Sequence, residues 1–558
     1  MSNSLDMIIK NANIITLDKQ NTRASSLAVK NGLICGIWTE TEPSASNLLK
    51  WTASPTTEVI DLKGATLLPG FIDTHNHILM YGLATGKLNC SSPPNRTIND
   101  ILELVRLKAK ETKKGYWIEG YGYDDTLLAE KRHPTKEDLD SVSPHHPVLI
   151  KHITGHLVVA NSVALQIAGV GDNIQDPKGG HFGRDNQGRL NGVLYEATAI
   201  TTVVQHIPQP SKQEMISSLG IASQDYVAQG ITTNSDAAVG VLYGMEEIEA
   251  HLEAAKLRVN PMRAQLMIMH HHLRENGIYE GYTSNQLNLE IQKRSGGFAK
   301  LDSAKMFQDG SIQGLTGALR QPYYNDPSLL GNLIHDQQLF REEVLDLHKR
   351  GFRITTHGNG DRAIESILDA YAYALENNPR HDHRHRVEHV QTATSSDLDK
   401  MKALGVAGSF FVNHVYYWGD RHERLFLGPE RARRISPVKE AIDRNLLFTL
   451  HSDCPVTPIS PLFSVWAAVN RLTKEGRVLG PEQRCDVVTA LKSMTIYGAK
   501  LNFDEENSGS IELGKRADFA VLEADPTSTD PKEIKNIKVI ATFIDGIPVF
   551  GNRKLVTS

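Results

Sequence analysis

The stretch Leu67-Leu68-Pro69-Gly70-Phe71-Ile72-Asp73-Thr74-His75-Asn76-His77 decides the fold. It is an apolar run that ends in two histidines one residue apart, and side chains two apart on a strand share a face. At the carboxyl end of a first barrel strand, both imidazoles would point into the mouth and grip one cation at about 2.0–2.1 Å each. A bare H-x-H pair is more often not a metal site, so the reading needs company. Further runs supply it: Phe352 to Thr356 is followed by His357, Arg386 to Glu388 by His389, and Leu446 to Leu450 by His451-Ser452-Asp453-Cys454-Pro455. Four histidines and one aspartate at strand ends are poor core filler. A barrel brings such ends together however far apart they lie in sequence.

Eight strand-like runs alternate with helix-like stretches: Phe71 to Asp73, Gly230 to Asn234, Met262 to Met269, Ser303 to Phe307, Phe352 to Thr356, Arg386 to Glu388, Ala407 to Phe411 and Leu446 to Leu450. That pattern predicts an α/β fold, a (β/α)8 TIM-like barrel over residues 68–499. The segment from about 84 to about 214 is too long for a βα loop and holds its own strand, Val148 to Lys151; it is expected to cap the barrel mouth. Short β-like runs at both ends (Met7 to Ile9, Ala12 to Leu17, Ser26 to Val29, Leu33 to Trp38; Ala517 to Leu522, Ile537 to Ile544, Pro548 to Val549) read as small antiparallel strands. They predict one β-sandwich built from residues 1–67 and 500–558.

The chain has 558 residues, 40% hydrophobic and 22% charged, which excludes a peptide hormone, a small binding module and wholesale disorder. Sixty basic against 65 acidic side chains, with no Lys/Arg block, speak against nucleic acid. The four scattered cysteines form no C-x-x-C pair, and no apolar run is long enough to span a bilayer, so the chain reads as cytoplasmic, without a membrane partner. The 23 histidines are the compositional feature worth following. His270-His271-His272 and His381-Asp382-His383-Arg384-His385 read as polar loops, because three adjacent side chains on regular backbone cannot all face one ion. Cys454 reads as packing.

The chain resembles the amidohydrolase superfamily, and more narrowly its group of N-substituted formamide deformylases and related aminohydrolases. The motifs that carry the resemblance are PGFIDTHNH (69–77), GYGYDD (120–125), GHLVVANSVAL (155–165), KMFQDGSI (305–312), THGNGDRAI (356–364), RVEHV (386–390), HSDCPV (451–456) and GSIELGKRADFAVLE (509–523). The resemblance implies that His75, His77, His357, His389 and Asp453 are ligands of one or two divalent cations, zinc first among them. It also places Lys305 where many relatives carry a lysine that CO2 converts to a carbamate bridging two metals; the competing reading pairs Lys305 with Asp309 or another acid as an ordinary ion pair. His414, Asp124 and His156 match family positions that face substrate.

From that site the expected reaction is hydrolysis of a non-peptide amide or formamide through a metal-activated hydroxide, giving a carboxylic acid and an amine, with Asp453 moving the proton. A small-molecule amide is the expected partner, and a homodimer is the default assembly. The loop Asp309 to Leu319 departs from its relatives between the Asp-Gly and the later small residues, which leaves the amide unidentified. Alternatives on the same site are deamination of a heteroaromatic amine, or hydrolysis of a lactone or phosphotriester; loss of the ligand set, as in non-enzymatic assembly proteins, is not seen here.

Overall fold

The computed structural model describes residues 4–44, 57–125, 127–152, 157–177 and 180–551. The chain forms two compact units, one from Met1–Tyr81 with Lys212–Ser558 and one from Gly82–Ser211.

The first unit contains an eight-stranded parallel sheet: Phe71–Asn76, Ile231–Val239, Arg263–Met269, Ala299–Phe307, Ile354–Gly358, Arg386–His389, Ala407–Phe410 and Phe448–Leu450, each hydrogen-bonded to the next in chain order. All eight runs read from the sequence are barrel strands. The first and last approach through a hydroxyl pair, Thr74 Oγ1 to Thr449 Oγ1 at 2.8 Å, and through His77 N donating to Cys454 O at 2.7 Å. Near-continuous burial along these strands is what a sheet covered on both faces demands.

Both termini enter a β-sandwich. One sheet runs Leu33–Trp38, Ser26–Lys30, Met7–Lys10, Glu58–Asp61; the other runs Ile547–Phe550, Val539–Ile544, Phe519–Leu522, Thr66–Pro69, Asn13–Ile15, Arg23–Ala24. Met7, Ile9, Leu27 and Val29 from the first sheet and Ile14, Leu67, Phe519, Val521 and Phe543 from the second share one apolar core. The sandwich is not purely antiparallel as expected: Met7–Lys10 pairs in parallel with Glu58–Asp61, and Asn13–Ile15 with Thr66–Pro69, because the chain returns to each sheet after a long excursion rather than by a hairpin.

The second unit holds a six-stranded mixed sheet, of which the sequence marks only Val148 to Lys151, observed as the strand Val148–His152. Alternate residues of that strand serve two cores: Val148 and Ile150 pack with Ile98, Ile101 and Val105 of the helix Ile98–Glu111, and Leu149 packs with Val158, Ala164 and Leu165. Thr97 opens that helix with a capping box closed by Asp100. Among the described residues, no helix is long and apolar enough to cross a membrane.

The two histidine clusters are a short turn and a loop, but most of their imidazoles are not solvated. His270–His272 form a 3-10 turn in which His270 and His272 are buried, and His272 Nε2 donates to Gly240 O at 2.9 Å. In the other cluster His383 and His385 are buried, because every ring nitrogen finds a partner. His385 Nδ1 accepts from Ile354 N at 2.9 Å, so its Nε2–H donates to His348 Nδ1 at 2.8 Å and His348 Nε2–H donates to Asn378 O at 2.7 Å. His383 Nδ1 accepts from His385 N, and its Nε2 donates to Leu404 O. Burial, reinforced by neighbouring cationic groups, holds all three below the ordinary imidazole range.

A histidine with a lowered native pKa takes its proton first in the unfolded chain, so this network contributes its full stability above the unfolded value of about 6.5 and loses it as pH falls below that. We expect His385→Ala to cost about 1–3 kcal/mol at pH 7, the penalty for leaving buried hydrogen-bonding groups without partners, and to flatten the fall in stability between pH 7 and pH 5. Urea denaturation across that range checks it; an unchanged slope contradicts it.

Candidate metal centre

The barrel strands deliver their terminal side chains to one rim, and the imidazoles of His75, His77, His357, His389 and His451 meet there. His75 has ring centroids 5.5 Å from His77, 4.9 Å from His389 and 4.8 Å from His451, and His389 lies 4.5 Å from His357. Asp453 Oδ1 is 3.4 Å from His75 Nε2 and 3.2 Å from His77 Nε2. His75, His77 and Asp453 thus each present a ligand atom within 4.8 Å of the others, a group able to hold a metal ion. His389 and Asp453 adopt left-handed backbone, φ +69° and +53°. Such conformations cost non-glycine residues about 1–3 kcal/mol and gather at functional sites.

Beneath the histidines lies a ladder of buried charge that the sequence reading missed. Arg353 Nη2 pairs with Asp302 Oδ1 at 2.9 Å, Asp302 Oδ1 with Arg386 Nη2 at 3.3 Å, Arg386 Nε with Glu388 Oε1, and Glu388 Oε2 lies 2.8 Å from His75 Nδ1. The signal was present: Arg386 and Glu388 alternate on a strand that must be buried on both faces, a position where an ordinary strand has aliphatic residues. Burial opposes the charge on Glu388, but Arg386 and His75 outweigh it and hold the carboxyl well below its usual range. Asp453 is likewise held low against burial, by His75 and His77. Burial and Lys305 push His75 down, yet Glu388 and Asp453 keep it above its ordinary value. Burial holds His389 well below the imidazole range, and His414 and His451 at about 3.

Lys305, from the fourth strand, is fully buried, and its Nζ has no hydrogen-bond partner. Burial pushes its pKa down to about 8 against the pull of Glu388 and Asp453. The pairing with Asp309 is not observed: Asp309 takes its hydrogen bonds from Ala318 N, Asn359 N, Gly360 N and His357 Nδ1. His75 Nδ1, Glu388 Oε2, Asp453 Oδ1 and His414 Nδ1 are also buried without a hydrogen bond; the 2.8 Å approach of His75 to Glu388 lies outside hydrogen-bond geometry. Nitrogen and carboxylate donors left unpaired together at one rim fit a divalent cation.

His414 opens the helix His414–Arg421, buried, with its ring 6.5 Å from His389. Asp124 lies in the second unit, grouped with Asp125 and His152; there Asp125 Oδ1 is 3.0 Å from His152 Nε2. His156 lies outside the described residues. All four cysteines are free, and burial lifts the Cys454 thiol to about 12, consistent with packing rather than nucleophilic duty.

The family model for the amidohydrolase family matches residues 58–550. The chain is 28% identical over 553 residues to an N-substituted formamide deformylase of Arthrobacter pascens, covering 98% of each chain. It is also 28% identical over 551 residues to the protein LONG AFTER FAR-RED 3 of Arabidopsis thaliana, covering 97% of this chain and 91% of that one. Among solved structures, an uncharacterized metal-dependent hydrolase from Pyrococcus horikoshii OT3 superposes with a TM-score of 0.74 at 20% identity, over 94% of this chain and 99% of that one, and shares the fold. The chain belongs to the amidohydrolase family. It is an enzyme of that class, a hydrolase acting on carbon–nitrogen bonds.

Removing one partner from a buried ion pair leaves the other charge uncompensated, so Glu388→Ala is expected to destabilise the metal-stripped protein by about 3–5 kcal/mol through Arg386. Chemical denaturation measures it; a loss below about 1 kcal/mol would show that Asp302 alone satisfies Arg386.

Proposed function

We propose that the protein is a metal-dependent hydrolase of a small non-peptide amide, with N-formyl and N-acyl amines as its substrate class. The observation that carries this reading is the gathering of His75, His77 and Asp453 at the barrel rim, with ligand atoms within 4.8 Å of one another. The likeness to an N-substituted formamide deformylase over nearly the whole chain supports the substrate class. In this reading His75, His77, His357, His389 and Asp453 would hold one or two zinc ions, and Lys305, buried and unpartnered, would supply a further ligand as its carbamate. A divalent cation there supplies a nucleophile from water at neutral pH and polarises a carbonyl group.

The protein's own residues do the rest. Asp453, held as a carboxylate, accepts the proton that water gives up on attacking the carbonyl carbon and delivers it to the departing nitrogen, so that the C–N bond breaks to a neutral amine rather than a poor anionic leaving group. His414, kept neutral by burial, offers an uncommitted ring nitrogen to the carbonyl oxygen as charge develops on it. Glu388 and its arginine partner keep His75 in place from beneath. Water and amide are consumed, and a carboxylic acid and an amine leave. The four unpaired thiols accord with a cytoplasmic setting.

A panel of N-formyl and N-acyl amines, followed by amine detection with metal analysis alongside, tests the reading. Amine release that is lost with the metal supports it; ammonia release from heteroaromatic amines alone would assign a deaminase instead. Asp453→Asn is expected to lower kcat by about 10²–10⁴, and His75→Ala to lose the metal. Wild-type kcat in the Asp453 variant would remove the proton-transfer assignment.

A further inference from the structure

Asp309 is the most heavily bonded buried carboxylate at the rim, and the reaction outlined above gives it no task. It is 1% exposed and joins its own loop to the distant segment His357 to Gly360. Its Oδ2 accepts from Ala318 N at 2.9 Å and Gly360 N at 2.8 Å, and its Oδ1 accepts from Asn359 N at 3.0 Å. The fourth partner is a side chain, His357 Nδ1, 3.2 Å from Oδ1. Space around this junction is already used: a Cβ at Gly360 would meet Ala318 O at 1.9 Å. Gly360 also caps the helix Asp361–Asn377, so the carboxylate sits where the helix dipole favours negative charge.

The donors settle which ring nitrogen of His357 carries its proton. Backbone N–H groups only donate, so both carboxylate oxygens act as acceptors, and His357 Nδ1 must be the N–H that donates to Oδ1. Nε2 then keeps its lone pair. Asn359 Nδ2 donates to that lone pair at 3.2 Å while also donating to Gly310 O at 3.0 Å, and Asn359 Oδ1 is buried with no partner. The lone pair of Nε2 is thus covered by a side-chain amide that is only half satisfied.

We propose that Asp309 is a positioning residue for His357: it fixes the imidazole through Nδ1, so that Nε2, whose hydrogen bond from Asn359 Nδ2 a cation would replace, is the ring's one lone-pair atom, and it ties the 310–319 loop to the same ring. The inference rests on the metal reading above. A carboxylate behind a ligating histidine fixes tautomer and ring direction and raises ligand basicity, and its loss typically lowers metal affinity about 10–100-fold. In Asp309→Asn the amide NH2 would face either the His357 N–H or a backbone N–H, donor against donor. Shape is conserved and the orienting bond is not.

The test is a double-mutant cycle read on zinc binding rather than turnover. Full-length wild type, Asp309→Asn, His357→Ala and the double variant are stripped with a chelator and retitrated with zinc against a competing indicator, with thermal unfolding measured alongside. Asp309→Asn is expected to weaken one zinc affinity about 10–100-fold in the wild-type background, and the double variant to match His357→Ala in zinc affinity, as residues acting through one another do. A wild-type zinc affinity in Asp309→Asn, or an equal loss in both backgrounds, would overturn the proposal alone. Wild-type protein that takes up no zinc would remove the metal reading and this inference with it. Should the Asn variant not fold, Asp309→Glu, which keeps two acceptor oxygens but displaces them by one methylene, enters the same cycle with the same outcomes.

Discussion

A histidine and two carboxylates buried beside a lysine at a barrel rim can persist only if each charge is answered nearby. Glu388 is answered by Arg386, Arg386 by Asp302, and Asp302 by Arg353, so charge compensation runs from the barrel interior up to His75. The cost of burying such charges is several kcal/mol per ion, so the ladder is poor evidence for stability and better evidence for a rigid, prepaid site. At the top of the ladder, Asp453 Oδ1, His414 Nδ1 and the Lys305 amine are buried without a hydrogen bond.

That division between satisfied support and unsatisfied rim is how a scaffold serves chemistry. The strands fix where each terminal side chain stands, and their parallel direction places all of those side chains on one face. Strain is tolerated at the same place, since His389 and Asp453 take left-handed backbone where the strands turn into loops. The loops then add orientation: Asp309 links the 310–319 segment, the helix beginning at Asp361 and the ring of His357 into one unit. A protein that holds its donors this firmly spends little on reorganisation when charge develops during reaction.

Much of this was legible from the sequence because strand ends are marked by local residue types. His75, His77, His357, His389 and Asp453 each stand at or just beyond the end of a strand-like run, and a barrel needs no further information to gather them. The supporting residues were harder to read for a physical reason: their partners are far away in sequence. Nothing near Asp309 foretells His357 or Gly360, and nothing near His385 foretells His348. Clustered histidines misled because a run of imidazoles looks solvated until each nitrogen is traced to a partner across the fold. Arg386 and Glu388 were readable in principle, as alternating charges inside a strand that has no exposed face. The parallel pairings in the sandwich were not, since pairing after a long excursion leaves no hairpin signature.

Anomalous X-ray diffraction from crystals grown with zinc addresses the central claim most directly. The account predicts an anomalous peak at coordination distance from His75 Nε2, His77 Nε2 and an Asp453 oxygen, about 2.0–2.2 Å from each. Crystals of active protein with no peak at this rim, or with the ion bound elsewhere and these side chains paired among themselves, would contradict it.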